Sequence, residues 1–338
     1  LIELFDSINK QTYKNLEIIL IENGDKSSDK LLKKLNYPYK YIASSNIGFA
    51  AANNIAFNHS RGDYICLINP DTVLNDNVIE LLLFSLLSNN ELAASVPKIV
   101  FYKKFIDIEV HSDQKFSLNL NKLSDSLNYK KFFIRYGQKY IKKKEQFVIS
   151  SNDHIVISIP VDQSKAIFNL NKSNKDQFFY YKINGSNLDN KKLIYEDFSE
   201  NALNLIINCD QNLIWWGKDI INNAGSSVLE NNPFDRGFGK YDLDLFNFNT
   251  NVKALCGCVA MLSPKVFAHR KIFIDEFFAY YEDSELSNWI LNKDYQIAYN
   301  HEAIVKHKHS VSTEEGSSLW NTFVSRSKKI YDFLISNE

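Results

Sequence analysis

The sequence predicts an α/β protein with a mostly parallel central sheet, interrupted by an inserted, antiparallel β-rich subdomain. In residues 1–103, apolar strand-like runs alternate with helical patterns, which is typical of βαβ units. In residues 104–212, short runs alternate apolar and polar side chains, which is typical of antiparallel strands with one solvated face. The first pattern returns in residues 213–338. We therefore expect one α/β domain in two halves, with a β-rich insertion between them.

The first half is expected to contain four helices and four strands before Pro97. In chain order they are a helix at 1–11, a strand at 16–21, a helix at 27–36, a strand at 39–43, a helix at 47–60, a strand at 64–68, a helix at 76–88 and a strand at 92–96. Pro97 is expected to end the last strand, because proline cannot donate to a central strand ladder.

The middle segment is interpreted as a β-sandwich or half-barrel. Its predicted strands lie at 147–150, 155–159, 166–170, 178–183, 193–195 and 203–207. The lysine-rich run at 121–145 is expected to form a solvated helix or loop face, and a membrane-surface patch is the alternative. Adjacent Trp215 and Trp216 at the end of the segment belong to a core or interface, or stack on sugar rings.

The second half is expected to contain a strand at 253–262, a short helix at 283–292, strand-rich residues at 296–306 and a final amphipathic helix at 317–335. The sole methionine is Met261, and apolar residues at 1–9 follow a helical pattern. We therefore expect the chain to open inside a helix, with preceding sequence missing.

Composition excludes several classes of protein. The 338 residues are 45% hydrophobic, enough for a sizeable core, and the net charge of −1 gives no reason to expect a nucleic-acid partner. No apolar run reaches the roughly 18 residues that span a bilayer. The four cysteines are too few for a disulfide scaffold, and Cys256 and Cys258 lack zinc-site spacing. We expect reduced cysteines and a cytoplasmic location, with the inner membrane face as the alternative.

The segment Asn69-Pro70-Asp71 places a carboxylate where a buried strand stops. Ligands of open α/β sheets bind at the carboxyl ends of the strands, so Asp71 is a candidate metal or phosphate-site residue. The alternative is a simple turn, with Asp76 capping the next helix.

Two further features could carry chemistry. Acidic and aromatic residues interleave at 273–286, where Asp283 is either a general base or the N-cap of a helix. His307 and His309 alternate at a strand end, so both would face the same side as metal ligands or as structural residues.

The order of these motifs resembles the family 2 glycosyltransferases of GT-A fold, and most closely their bacterial rhamnosyltransferase-like members. The resemblance covers residues 1–103 and about 213–338. It rests on Asn46-x-Gly48-Phe49, Asn54, Gly62-Asp63-Tyr64, Asn69-Pro70-Asp71, Gly257, Phe273-x-Asp275-Glu276-Phe277-Phe278, Glu282-Asp283 and His307. Residues 222–225 and 235–242 also resemble a subgroup with an insertion before them.

The resemblance implies a three-layer sandwich and an inverting transfer of a sugar from a nucleoside diphosphate to an acceptor hydroxyl. Asp71 would hold Mg²⁺ or Mn²⁺ on the diphosphate, with Asn69 in place of the family's first aspartate. His307 would complete the metal site, and His309 is the fallback ligand. Asp283 would deprotonate the acceptor, and Glu282 would orient the acceptor or Asp283.

The resemblance also implies nucleotide contacts and partners. Glu22 would lie near the nucleobase, and Asn46, Gly48 and Asn54 would line the nucleotide. The donor would be a dTDP-, UDP- or GDP-linked sugar, and the acceptor a glycan or lipid-linked glycan in cell-surface polysaccharide synthesis. The family's first strand is expected to precede Leu1, so we expect impaired donor binding by this chain alone.

Two other functions remain open. The chain could be a non-catalytic carbohydrate-binding or scaffolding module on a degenerate GT-A fold, with the β-rich insertion as its working part. A third interpretation, a nucleotidyltransferase, requires a glycine-rich phosphate loop with a nearby lysine, and the sequence has none.

Overall fold

The structure is a computed structural model that divides into two compact units. One unit comprises Leu1–Tyr102 and Ile221–Glu338, and the other comprises Lys103–Ile220. The predicted boundaries were 103/104 and 212/213. The structure describes residues 1–24, 28–121, 123, 132–136, 141–143, 146–161, 165–171, 177, 179–184, 192–193, 198–199, 202–208, 217–230, 232–308 and 317–336.

The first part of the α/β unit follows the predicted order of helices and strands, with one additional short strand after Asp71. Its elements are α1 (Ile2–Asn9), β1 (Ile18–Asn23), α2 (Asp29–Leu32), β2 (Tyr39–Ser44), α3 (Phe49–Asn58), β3 (Ile65–Ile68), β4 (Thr72–Leu74), α4 (Val78–Ser88) and β5 (Leu92–Phe101). Strands β1 and β2 pair in parallel and form a separate two-stranded sheet.

The second unit is built from antiparallel strands. They are β6 (Phe105–Ser112), β7 (Phe116–Asn119), β8 (Phe133–Tyr136), β9 (Ile141–Lys143), β10 (Gln146–Ile149), β11 (His154–Pro160), β12 (Lys165–Asn171), β13 (Phe179–Asn184), β14 (Lys192–Leu193), β15 (Phe198–Ser199) and β16 (Ala202–Asn208). They form a six-stranded sheet, β15-β16-β12-β7-β10-β9, and a five-stranded sheet, β14-β13-β6-β11-β8.

The two antiparallel sheets share one apolar core, so this unit is a β-sandwich. Leu118 and Phe168 from the six-stranded sheet pack in the same cluster as Ile108 and Ile157 from the five-stranded sheet. The prediction of a helix or loop for 121–145 is wrong where β8 and β9 lie, because cross-strand pairing overrides local composition. Trp215 and Trp216 lie outside the described residues.

From Ile221 onward, the described residues of the α/β unit form six strands, three α-helices and a 3₁₀-helix at Asp244–Phe246. The strands and α-helices are β17 (Ile221–Asn223), β18 (Ser226–Leu229), β19 (Asn232–Asp235), β20 (Thr250–Val252), β21 (Val259–Leu262), α5 (Pro264–Phe267), α6 (Glu282–Asn292), β22 (Gln296–His307) and α7 (Ser318–Ser336). The predicted strand at 253–262 begins only at Val259. Before it, the amides of Ala254 and Leu255 bond to Ser226 and Ser287 instead of to a neighbouring ladder.

The seven-stranded sheet of this unit is mixed, and not mostly parallel as predicted. Its order is β20-β22-β5-β21-β3, with β17 also on β5 and β4 also on β22. Only β5 and β22 pair in parallel. Strand β21 lies between β3 and β5 and is antiparallel to both. The alternation of strands and helices correctly predicts that β3 and β5 share a direction, but a strand from much later in the chain separates them.

Helices cover both faces of this sheet, which confirms the predicted three-layer arrangement. Along β21, Val259 and Met261 face the core beneath α1 and α4. Ala260 and Leu262 face the opposite core, which includes Leu286 of α6. The alternation follows from the two-residue period of a strand.

Pro97 lies inside β5 instead of ending it. It is paired with Asn300 of β22, at the point where the register of the two strands shifts. On the other side of β5, β21 pairs only as far as Ser95 and β17 begins pairing at Ile99. Proline is tolerated at such an irregularity because no ladder hydrogen bond is required there. Among the described residues, no helix has the length and apolar character to cross a membrane.

Candidate active site

A cavity of about 2030 Å³ opens in the α/β unit beside the ends of β1 and β3. The predicted site residues on its wall are Glu22, Asn46, Gly48, Asn69, Asp71 and His307. The cavity therefore brings together side chains from the start of the chain and from its last strand. The wall does not include Asn54, Glu282 or Asp283.

Asp71 and His307 are brought together by strand pairing. The chain leaves β3, turns at Asn69-Pro70-Asp71 and enters β4, whose first residue Thr72 is in register with His307. The amide of Lys308 donates to the carbonyl oxygen of Asp71. As a result, Nε2 of His307 lies 3.3 Å from Oδ2 of Asp71.

The contact made by Nδ1 of His307 determines which ring nitrogen carries the hydrogen. Nδ1 lies 2.9 Å from Oδ1 of Asn222, and both residues are buried. Since an amide oxygen only accepts, Nδ1 carries the hydrogen of this bond. Nε2 of a neutral ring therefore presents its lone pair to the carboxylate of Asp71. Two arrangements satisfy this contact: a proton on Nε2 or a cation held by both groups.

The pair has the chemistry and spacing of two neighbouring metal ligands. Bonds from a divalent cation to carboxylate oxygen or imidazole nitrogen are about 2.1 Å long, so adjacent ligand atoms lie roughly 3.0–3.5 Å apart. The separation of 3.3 Å between Nε2 and Oδ2 fits this range.

Asn69 stabilises the turn through its backbone. Its backbone amide donates to the carbonyl oxygen of Cys258, and its carbonyl oxygen accepts from the Thr72 hydroxyl. His309 lies outside the described residues.

Asp283 is held at the start of α6 by contacts with the segment before β21. Its Oδ2 accepts a 2.9 Å hydrogen bond from the amide of Gly257, and Ser284 donates to Oδ1 at 3.3 Å. Helix α6 begins one residue earlier, and its N-cap position is Tyr281. The alternative interpretation of Asp283 as the N-cap is therefore wrong.

The helix start is further positioned by strained backbone and a buried hydroxyl. Tyr280 and Tyr281 have φ angles of 70° and 67°, in the left-handed region that non-glycine residues rarely occupy. Ser287 donates to the carbonyl oxygen of Asp283 at 2.6 Å and accepts from the amide of Leu255 at 3.0 Å. These contacts tie the first turn of α6 to the chain that leads into β21.

Burial favours the neutral form of both acids at this helix start. Glu282 is only 6% exposed, and its Oε2 has no hydrogen-bond partner among the described residues. Burial, with a smaller contribution from the charge of Asp283, raises the pKa of Glu282 to about 8. Burial also raises the pKa of Asp283, while the Gly257 amide and Ser284 oppose that shift. A carboxylate with a raised pKa is a stronger base than one in water.

Asp235 is a third acid at this site, and it is not among the predicted site residues. It lines the cavity at the end of β19 and interacts electrostatically with Asp283 and with His307. Its Oδ1 accepts from Nδ2 of Asn223 at 2.6 Å and from the Ser226 hydroxyl at 3.2 Å. The short hairpin of β18 and β19 places Ser226 opposite Asp235. No local sequence signal marks Asp235, because its place at the site depends on this hairpin and on its contact with Asn223.

Glu22 and Asn46 also line the cavity, and both side chains accept hydrogen bonds from backbone amides of the chain. Oε2 of Glu22 accepts from the amide of Ser28, and Oδ1 of Asn46 accepts from the amide of Gly48. Asn23, which was not predicted, bonds through its side chain to the backbone of Ile47 and Gly48. These bonds fix the loop that precedes α3.

Gly48 and Asn54 have structural explanations in the contacts of α3. Gly48 has φ +89°, and a Cβ there would lie 2.5 Å from the carbonyl oxygen of Phe278. Gly48 therefore allows the backbone of Phe278 to approach closely. Nδ2 of the buried Asn54 donates to the carbonyl oxygen of Phe273 and to Oδ1 of Asp275, and its Oδ1 accepts from the amide of Phe273. Asn54 therefore positions the 273–275 segment and does not face the cavity.

Comparisons with known proteins give a family match for the first part of the chain. Residues 1–155 match the family model described as glycosyl transferase family 2. Because members of that family share the GT-A fold, the match confirms the predicted fold class.

Several curated relatives match shorter stretches of the chain. Glycosyltransferase GlyA of Streptococcus pneumoniae is 33% identical over 81 residues, covering 23% of this chain and 12% of the relative. Glycosyltransferase GlyG of the same organism is 31% identical over 87 residues, covering 24% of this chain and 29% of the relative. An uncharacterized glycosyltransferase of Rickettsia conorii is 34% identical over 116 residues, covering 33% and 19%.

The aligned part of the chain thus spans less than a third of the length of each of these relatives. With the site geometry, the similarity of residues 1–155 to glycosyl transferase family 2 supports a role for this chain in glycosyl transfer.

Proposed function

We propose that this chain is an inverting glycosyltransferase that moves a sugar from a nucleoside diphosphate to an acceptor hydroxyl. The observation that carries the proposal is the 3.3 Å contact between Asp71 and His307 on the cavity wall. It pairs a carboxylate with an imidazole whose other nitrogen is already bonded, which suits a cation on a diphosphate.

The donor nucleotide would lie along the cavity from Glu22 to Asp71. Glu22, Asn46 and Gly48 would surround the nucleoside, and Asn69 would lie beside the diphosphate. We propose a dTDP-, UDP- or GDP-linked sugar, and among these a rhamnosyl or related donor. Three hydrogen bonds between the side chains of Asn23 and Asn46 and the backbone support a preformed nucleoside pocket.

Asp71 and His307 would hold the divalent cation. A bound cation would neutralise the charge that develops on the leaving diphosphate. Carboxylate and imidazole together suit Mn²⁺ better than Mg²⁺, because Mg²⁺ prefers an all-oxygen shell. Asn222 would keep the His307 ring oriented with Nε2 toward the cation, as outer-shell partners do in other metal sites.

Asp283 would act as the base. The acceptor oxygen attacks the anomeric carbon as its proton passes to Oδ1 of Asp283, while Oδ2 stays bonded to the Gly257 amide. The bond from the anomeric carbon to the diphosphate oxygen breaks, and its electron pair leaves with the nucleoside diphosphate. Attack from the opposite face inverts the anomeric configuration.

Glu282 and Asp235 would tune this base. A neutral Glu282 beside Asp283 adds no second negative charge, which would otherwise disfavour ionisation of the base. Asp235 would face the acceptor side, since it lines the cavity and interacts electrostatically with Asp283.

We propose a glycan or lipid-linked glycan of a cell-surface polysaccharide as the acceptor, with the reaction at the cytoplasmic side of a membrane. The names of the relatives support transfer of a sugar and are silent on its identity.

The test is binding of dTDP-, UDP- and GDP-linked sugars to the full chain, measured by calorimetry with Mn²⁺ and with EDTA. We expect one class of nucleotide sugar to bind in Mn²⁺, weakly because donor binding by this chain alone is expected to be impaired, and to bind at least tenfold more weakly still in EDTA. Slow release of free sugar, with water as acceptor, would be the accompanying activity.

A folded chain that binds no nucleotide sugar under either condition would overturn the proposal. If that chain and its isolated middle segment both bound glycan, the non-catalytic carbohydrate-binding module would be the better assignment.

A further inference from the structure

The outer face of the five-stranded sheet in the β-sandwich carries a row of metal-ligating side chains. In β6, Ile106, Ile108 and Val110 point into the core, so the alternate residues Glu109 and His111 share the outer face. Strand β11 pairs with β6 in an antiparallel register that sets His154 directly opposite His111. Residues opposite each other on one face have neighbouring side chains.

Glu109, His111 and His154 form a compact cluster of ligand atoms. One ligand atom from each lies within 4.8 Å of the other two. Oε1 of Glu109 is 2.5 Å from Nε2 of His111, and the two imidazole rings stack with centroids 4.9 Å apart. In the described part of the chain, this is the one cluster of three such residues.

The ring of His111 is held from its other side. Tyr180 of β13 is in register with His111, and the two rings stack at 4.6 Å with an interplanar angle of 8°. Tyr180, His111 and His154 therefore form a continuous stack across three adjacent strands. Such a stack limits rotation of the imidazole, so little side-chain freedom remains to be lost on binding a ligand.

We propose that Glu109, His111 and His154 bind a divalent transition-metal ion, with Zn²⁺ the best match. Three protein ligands of the types His, His and Glu leave a fourth tetrahedral position for water. Two imidazoles select Zn²⁺, Ni²⁺ or Cu²⁺ over Mg²⁺ and Mn²⁺, which prefer oxygen. For tetrahedral coordination, Oε1 of Glu109 and Nε2 of His111 must separate from 2.5 Å to about 3.3–3.5 Å, and the ligand atom of His154, now within 4.8 Å of both, must come to the same distance.

Partial exposure suits such a site. The side chains of Glu109 and His111 are 17% and 22% exposed, and that of His154 is 39% exposed. An ion could therefore enter from solvent without opening the core. Two neutral imidazoles and one carboxylate carry a net charge of −1, which attracts a cation. Bound there, the metal would join β6 to β11.

The experiment titrates Co²⁺, a spectroscopic substitute for Zn²⁺, into the full chain carrying His307→Ala. This background removes the proposed Asp71–His307 site, so the outcome is independent of the glycosyltransferase proposal. We expect visible absorption bands of tetrahedral Co²⁺ that saturate at one ion per chain and disappear when Zn²⁺ is added.

Ligand variants then identify the site. Added to the background, His111→Ala and His154→Ala should each weaken Co²⁺ binding at least 100-fold, and Glu109→Gln about tenfold. His301→Ala should change nothing, because His301 bonds to Asn249 and belongs to no such cluster. In addition, Zn²⁺ should raise the unfolding temperature of the chain carrying His307→Ala alone. It should not raise that of the chain carrying both His307→Ala and His154→Ala.

Absence of Co²⁺ bands at 100 µM metal would overturn the proposal, as would unchanged affinity in the two histidine variants. Circular dichroism without metal establishes that each variant is folded. If His111→Ala does not fold, His154→Gln replaces it, because His154 is the most exposed of the three ligands.

Discussion

Nε2 of His307 faces Oδ2 of Asp71 at 3.3 Å, while Nδ1 of the same ring is committed to Asn222. Strands β4 and β22 impose this contact, since Thr72 is in register with His307. Strand pairing therefore fixes the backbone positions of the two residues relative to each other. A preformed pair of this kind requires little reorganisation when a cation binds.

Asp71→Asn should remove metal-dependent transfer. An amide keeps the size of the side chain but cannot supply the negative charge that holds the cation on the diphosphate. We expect transfer to fall about 1000-fold, equivalent to roughly 4 kcal/mol of transition-state stabilisation. Initial rates at saturating Mn²⁺ and donor provide the measurement.

Asp76→Asn is the matched control for this substitution. Asp76 is an exposed acid five residues later and does not line the cavity. Its variant should transfer at the wild-type rate. Equal rates for Asp71→Asn and the wild type would exclude Asp71 as a metal ligand.

Asn222→Ala should weaken Mn²⁺ binding without abolishing turnover. Loss of the bond to Nδ1 frees the His307 ring to rotate, and outer-shell changes of this kind typically cost 10–100-fold in metal affinity. We expect the Mn²⁺ concentration at half-maximal rate to rise by that factor, with the rate at saturating metal near that of the wild type.

Asn249→Ala offers an internal comparison. Asn249 bonds to Nδ1 of His301 at 2.8 Å, so it makes the same kind of contact to a histidine of the same strand. That pair is exposed and outside the cavity. If both asparagine variants shift the metal dependence equally, the proposed role of Asn222 is wrong.

Asp283→Asn should lower turnover and leave donor binding intact. The amide still fits beside Gly257 but cannot accept the proton of the acceptor hydroxyl. General-base catalysis contributes about 10²–10⁴-fold, so a decrease in kcat of that size is expected, with an unchanged Kd for the nucleotide sugar. Asp294→Asn, in an exposed position just after the same helix, is the control. Loss of donor binding in Asp283→Asn would instead assign this acid to the donor site.

Gly48→Ala tests the packing of α3 against Phe278. A Cβ at this position would lie 2.5 Å from a carbonyl oxygen, and φ is +89°. We expect the free energy of unfolding to fall by about 2–4 kcal/mol in urea titrations. Gly24→Ala is the comparison, because Gly24 also has a positive φ but no atom lies within 4 Å of an added Cβ. Equal losses in both variants would show that steric contact with Phe278 is unimportant.

Local patterns predicted most of the helices and strands because each element is marked by a continuous apolar run or by apolar residues at its own period. The run at 64–68 and the helix at 283–292 correspond to β3 and α6 within one residue at each end. The same patterns could not predict that β21 enters between β3 and β5, because its antiparallel pairing depends on residues almost 200 positions apart. Likewise, Pro97 is tolerated in β5 only because of a register shift in β22.

The candidate site shows the same division. Asp71 and Asp283 could be selected from sequence because each carboxylate adjoins a recognisable strand or helix end. Asn222 and Asp235 could not, because their significance depends on contacts with His307 and on the β18–β19 hairpin. Asn54 illustrates the opposite case: its polar side chain looks like a ligand contact in sequence, yet it is buried against Phe273 and Asp275.

Glu282→Gln should change how stability depends on pH. The pKa of Glu282 is about 8 in the folded chain against an ordinary value of 4.5. Between these values the folded chain keeps a proton that the unfolded chain has released, so wild-type stability falls as pH rises from 4.5 through 8. Glutamine does not titrate, and the variant should lack this component of the decline.

The measurement is urea unfolding of wild type and Glu282→Gln at pH 5 and pH 8.5, with Glu302→Gln, an exposed acid of β22, as the control. Taking the difference between variant and wild type cancels the contributions of other titrating groups. We expect the Glu282→Gln variant to gain on the order of 3–4 kcal/mol relative to wild type on going from pH 5 to pH 8.5. A difference that stays constant over this range would mean that Glu282 is already ionised in the folded chain. It would then repel the charge of Asp283 and could not support that residue as the base.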